Sequence, residues 1–281
     1  MKPDNEALCL AALRESDRDR YLASLLAPAD RRSAIVALYA YNTELARIRD
    51  LVREPLPGEV RLQYWRDLLE GSAHGETAAN PVAAELLRAV RERGLPVAPL
   101  IAMADARVFD LYDDPMETAA MFEGYAGETT AALIQLTCLA LDAKAAEVVF
   151  DIVGHAGVAL AVAGALLLLP IHRARGQVYV PLQILSAAGM DRDSFLKDGD
   201  PTRLKVVIEA FAGYGLDHLR QARAAGAIPK SLLPAFLPVS LASGVLTRAA
   251  RDGAAALAGG VRAPQWRRQL AMVRLLLTGK L

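Results

Sequence analysis

The chain has 281 residues, of which 53% are apolar and only 6% aromatic, with Lys plus Arg and Asp plus Glu both at 32. That length can bury a sizeable core, and the apolar fraction is dominated by Ala and Leu, both strong helix formers. A formal net charge of zero excludes a global field drawing the protein to nucleic acid, so any charged surface must be local.

Asn5 to Leu26 reads as one helix broken or bent near Ser16, with Arg18, Asp19 and Arg20 on a solvated face. Pro28 ends it, and Asp30 is placed to cap a second helix in which Ile35, Leu38, Tyr39, Asn42 and Leu45 follow helical spacing. That register buries one polar residue, Asn42. Pro55, Pro57 and Gly58 predict a break before a helix from Glu59, with Leu62, Trp65 and Leu69 as its apolar stripe. Gly71 to Asn80 is a polar loop. Pro81 suits a first helical position and Gly94 a C-terminal cap.

Helices are predicted over Pro99–Tyr112, Met116–Tyr125 and Glu128–Leu141. The apolar run Ala156–Ile171 then forms a central helix closed by Pro170 and followed by His172, Arg173 and Arg175. It has 16 residues, short of the roughly 18 to 20 that a membrane crossing needs, so it is read as a core helix and no transmembrane helix is expected. Gln177 to Pro181 is an extended connector. Pro201–Ala224, Lys230–Ala256 and Gln265–Leu276 complete one all-α domain over residues 1–281, with no strand rhythm and no repeat.

Cys9 and Cys138 lie far apart and outside any CxxC pair, which points away from a zinc site or disulfide framework and towards a reducing compartment. The acids in the first residues do not fit a secretory leader, so a cytoplasmic location is expected. No GxSxG, Walker, HExxH or glycine-rich dinucleotide motif is present. Chemistry must therefore rest on polar side chains carried by helices.

Three clusters qualify. Arg47 and Asp50 share a helix face, either as a surface ion pair or as part of a polar mouth. Arg61, Gln63, Trp65 and Asp67 form the second. Arg107, Asp110 and Asp113, at intervals of three beside Phe109 and Tyr112, read either as a solvated face or as a pocket rim. His155, inside the apolar helix, reads as a satisfied core histidine. The terminal QWRRQLAMVRLLLTGKL places Trp266, Leu270, Val273 and Leu277 on one face, with Arg267, Arg268 and Arg274 elsewhere. That helix either packs as the last core element or docks on a membrane surface or partner.

Several segments together carry a family resemblance. YLASLLAPADRRSAIVALYAYNTELARIRDLV, RLQYWRDLLEG, FDLYDDP, YAGETTAAL and GHAGVALAVAGALLLLPIHRARGQVYVP resemble, in order and spacing, the squalene/phytoene synthase family over about residues 17 to 185. The resemblance implies a single-domain isoprenoid-synthase-type helical bundle around a central apolar cavity. In that family two aspartate-rich motifs bind Mg²⁺, which neutralises the departing diphosphate of a prenyl substrate.

Here the first motif stands as Leu45, Ala46, Arg47, Ile48, Arg49, Asp50, and the second as Leu167, Leu168, Leu169, Pro170, Ile171, His172. One carboxylate, Asp50, remains of the usual five. The pattern is most similar to a group within the family that lacks these aspartates and includes a mitochondrial complex I assembly factor. By this resemblance the chain is expected to be a noncatalytic protein without a cofactor, binding an apolar or isoprenoid-like lipid or a protein partner. It would lie in the cytoplasm, with peripheral contact to the inner membrane.

The residues expected around such a pocket are Tyr39, Tyr41, Asn42, Arg47, Asp50, Arg61, Gln63, Trp65, Arg107, Asp110, Tyr125, Arg173, Arg175 and Tyr179. Arg47, Arg173 and Arg175 would form a positive mouth able to hold a lipid phosphate without metal. The alternative is an active prenyltransferase using Mg²⁺ at a non-standard site that regroups Asp50, Asp110, Asp113 and Glu128.

Overall fold

The computed structural model describes residues 4–72, 79–197 and 200–281. Part of the Gly71–Asn80 loop and the first three residues lie outside them. The described residues contain helices and connectors but no strand.

In chain order the helices are α1 (Asn5–Ser16), α2 (Arg18–Leu25), α3 (Ala29–Leu51), α4 (Pro55–Glu70), α5 (Pro81–Arg93) and α6 (Val97–Ala106). They continue with α7 (Ala119–Ala126), α8 (Ala132–Leu141), α9 (Ala143–Ala146), α10 (Phe150–Leu167), α11 (Leu169–Ala174) and α12 (Leu182–Ala187). The rest are α13 (Arg192–Leu196), α14 (Pro201–Ala224), α15 (Leu233–Phe236), α16 (Ala242–Arg251), α17 (Gly253–Leu257) and α18 (Gln265–Thr278).

These helices sort into two compact units interleaved in sequence. Unit 1 takes residues 1–112, 132–150 and 229–236; unit 2 takes residues 113–131, 151–228 and 237–281.

In unit 1, α3 packs on α1, α5 and α8, and α4 packs on α6. The α1–α2 break falls at Asp17, whose carboxylate accepts from the Arg20 amide at 3.0 Å and so restarts the helix. Asp30 does not cap α3: the helix begins at Ala29 behind Pro28, and Asp30 sits in its first turn, where a negative charge suits the helix dipole. The prolines expected to precede α4 lie inside its first turns, where a missing N–H costs nothing. Gly94 closes α5 in the left-handed conformation at φ 62°, as expected.

In unit 2, α14 is the element on which α12, α16 and α17 pack. The central apolar helix starts earlier than expected and ends earlier. α10 runs from Phe150 to Leu167, and Pro170 opens the separate α11 instead of closing the run. With 18 residues and a mean hydropathy of 1.8, α10 is long and apolar enough to cross a membrane, yet half of it is buried inside the fold, as for a core helix. One close approach fixes its position. A Cβ on Gly157 would fall 2.4 Å from the Ala131 Cβ and 2.6 Å from its Cα, so only glycine lets α10 reach the π-helical turn Gly127–Ala131 that follows α7. The predicted helix over Lys230–Ala256 is divided into α15, α16 and α17, with short 3₁₀ turns at Lys230–Leu232 and Val239–Leu241.

Candidate functional site

In unit 1 the first-motif positions lie on α3. Helical periodicity turns Leu38, Tyr41, Leu45 and Ile48 into the core, and consequently turns Ala46, Arg47 and Asp50 outwards, where all three are exposed. Arg49 bends back and donates to the Val52 carbonyl at 3.3 Å, finishing the helix. Asn42 is buried, as its register requires.

Tyr39 and Tyr41 are framework residues. Tyr41 is fully enclosed, donates to the Leu100 carbonyl at 2.8 Å and meets the buried Trp65 edge-on at 5.1 Å, tying α3 to α4 and α6. The Tyr39 hydroxyl is buried beside Thr137 without a partner at hydrogen-bonding geometry, and burial pushes its phenol well above the ordinary range. Arg61 and Gln63 stand on the exposed side of α4, with Gln63 donating to Asp67 at 2.6 Å and accepting from Arg66 at 3.1 Å.

The charged stripe of residues 107 to 113 is not a solvated face. Asp110 is buried in the 3₁₀ turn Phe109–Leu111, and its carboxylate accepts from Arg107 at 3.0 Å. The stripe ends there, because Tyr112 is extended and Asp113 begins the next segment, exposed, in unit 2.

In unit 2 the second-motif positions fall at the α10–α11 junction. Leu168 and Ile171 are each 46% exposed, and with the half-exposed Leu160, Gly164 and Leu167 they form an apolar strip at helical spacing. His172 faces the Tyr179 ring at 4.5 Å, and Tyr125 lies 6.0 Å from the same ring, so the structure brings these three predicted residues together. Arg173 is turned to the framework: Nε donates to the Phe195 carbonyl at 2.9 Å and Nη2 to that of Lys197 at 3.3 Å, while its guanidinium covers the Phe195 ring. Arg175 is exposed at the end of α11.

Sequence reasoning missed a second cluster in unit 2. His155 Nδ1 and His218 Nδ1 are 3.1 Å apart, His218 Nε2 lies 3.5 Å from the Glu123 carboxylate, and the Tyr214 hydroxyl donates to that carboxylate at 2.5 Å. The signal was present: Tyr214 and His218 are four residues apart on α14, one face of one helix.

Among the described residues no group of three or more His, Cys, Asp or Glu side chains is placed to hold a metal ion. The donor set at the motif positions does not fit Mg²⁺ either. That ion takes oxygen ligands at octahedral geometry, whereas alanine, arginine, leucine and histidine stand where the resemblance implies carboxylates.

The squalene/phytoene synthase family model matches residues 13–273. The chain belongs to the squalene/phytoene synthase family. Within it, the chain is 33% identical over 237 residues to NADH dehydrogenase (ubiquinone) complex I, assembly factor 6, of Rattus norvegicus, covering 84% of this chain and 71% of the relative. The protein of that name from Homo sapiens is 33% identical over 230 residues, covering 82% and 69%. Solved structures of the family share its fold at low identity. A dehydrosqualene synthase in complex with ligand superposes with a TM-score of 0.77 at 14% identity, covering 96% of this chain and 95% of that one. Squalene synthase HpnC from Alicyclobacillus acidocaldarius gives 0.72 at 16% identity, covering 88% and 93%. This family member therefore has the all-α isoprenoid-synthase fold expected of it.

Proposed function

We propose that this member of the squalene/phytoene synthase family is a noncatalytic assembly protein for a respiratory NADH dehydrogenase complex, which uses the fold to hold an apolar ligand or a protein partner. One observation carries the reading. The positions that resemblance assigns to metal-binding carboxylates hold Ala46 and Arg47 on α3 and Leu168 and His172 at the α10–α11 junction. A prenyl diphosphate ionises only when charge developing on its leaving group is neutralised, and no oxygen ligands are supplied there for the ion that would do so.

In place of carboxylates, unit 2 offers the strip of Leu160, Gly164, Leu167, Leu168 and Ile171, with the rings of Tyr125, His172 and Tyr179 as the polar-edged aromatic group of the same unit. Such a lining suits an isoprenoid-like lipid or an apolar segment of a partner. Relatives named as complex I assembly factors support the choice of partner class.

Two measurements test this. Purified protein incubated with farnesyl or geranylgeranyl diphosphate and Mg²⁺ or Mn²⁺ is expected to release no pyrophosphate; release that Asp50→Asn abolishes would establish the prenyltransferase instead. Removing the gene from the source cells is expected to lower the amount of intact NADH dehydrogenase complex on a native gel, and restoration by the Asp50→Asn variant would separate assembly from catalysis.

A further inference from the structure

We infer that α18 is a docking helix for the surface of an anionic lipid bilayer. Trp266, Leu270, Val273 and Leu277 follow at intervals of four, three and four, which sets them within an arc of roughly 60° on one side of the helix. They are 59%, 59%, 42% and 82% exposed. The opposite side holds Met272 and Leu275, each 1% exposed, so unit 2 grips α18 by one face and leaves an equally apolar face outwards. A helix kept only for the core would carry polar residues on that outer face.

The charges beside the stripe select the occupant. Arg267 and Arg274, both exposed, flank it on one side, and the Arg267 guanidinium lies 5.0 Å from the Trp266 ring centre. From Gly253 onward the side chains include Arg262, Arg267, Arg268, Arg274 and Lys280 and no Asp or Glu, in a chain whose total charge is zero. Cations bordering an apolar ridge that carries tryptophan match a headgroup layer with acyl chains beneath it. The helix lies in the plane, the stripe enters the boundary region and the arginines meet lipid phosphates. The ridge is convex and one helix wide, a shape that meets a deformable plane more fully than it meets a preformed groove. The inference rests on α18 alone and does not depend on the assembly reading.

The test uses the full chain with vesicles of phosphatidylcholine alone or mixed with phosphatidylglycerol. Co-sedimentation is expected with the mixed vesicles, falling as salt rises, together with a blue shift of Trp266 fluorescence; Trp65 is buried already and contributes little change. Arg267→Gln with Arg274→Gln should weaken binding by roughly tenfold or more. Leu270→Ser with Leu277→Ser should abolish it while circular dichroism and the unfolding temperature stay at the wild-type values, since neither side chain is in the core. Absence of binding to mixed vesicles, or binding that survives the double serine variant, would overturn the inference. So would concentration-dependent self-association lost in the same variant, which would assign the stripe to a second copy.

Discussion

His155 and His218 face each other nitrogen to nitrogen, with their Nδ1 atoms 3.1 Å apart, and so join α10 to α14. One ring must donate and the other accept, so the bond exists only while at least one of the two is neutral. Burial first, then the neighbouring positive charge of His155, pull His218 below the ordinary histidine value, while Glu123 and Asp217 oppose the shift. The unfolded chain therefore takes up a proton that the folded chain resists. The contribution of His218 to stability is full above about pH 6.5 and is lost as pH falls from there towards its lowered folded value. Thermal unfolding followed by circular dichroism should show the unfolding temperature dropping over that window, and His218→Gln should flatten the drop.

Gly157 should be the least replaceable glycine of α10. A Cβ there would also fall 2.8 Å from the Ala131 nitrogen, and backbone cannot step aside as a flexible side chain can. Gly157→Ala is expected to cost about 1–3 kcal/mol or more by chemical denaturation. Gly164 on the same helix has no atom within 4 Å of its Cβ position, so Gly164→Ala should be stabilising by about 0.5–1 kcal/mol.

Arg107 and Asp110 are each other's partner in a place with little water, their side chains 16% and 9% exposed. Removing one takes this ion-pair contact from the other. Asp110→Ala should therefore destabilise by about 1–3 kcal/mol, and replacing both by apolar residues of similar volume should recover part of the loss. Equal losses from the single and double variants in urea titrations would show that the ion pair carries none of the effect.

The two thiols should be silent in the native protein. Burial pushes Cys9 and Cys138 up to about 12, leaving almost no thiolate at neutral pH. A chromogenic thiol reagent should label neither until denaturant is added, and both afterwards.

The longer helices were readable in the chain, because their apolar stripes repeat at helical spacing, whereas the short α12 and α13, five or six residues each, lie in a stretch where no helix was expected. Boundaries were harder where the same residue has two uses. Pro55 reads in sequence as a break before a helix and Pro170 as the end of one, but each lies in a helix's first turn, and nothing local separates a proline outside a helix from one in its first turn. The burial of Asp110 was not legible, because the packing of the Phe109–Leu111 turn on α4 comes from tertiary structure. The Glu123–Tyr214–His218–His155 group joins three helices far apart in sequence, so spacing exposed only its α14 half.

The order in which the chain visits its two units sets a timetable for synthesis. Unit 1 ends with residues 229–236, where α15 packs on α8 and the 3₁₀ turn Lys230–Leu232 packs on α8 and α9. A ribosome that has already made α1 to α6, α8 and α9 has therefore still not supplied everything their core needs. The nascent chain must carry that apolar surface open until residue 236 has emerged, and a stall or truncation before that point leaves it for chaperones to cover.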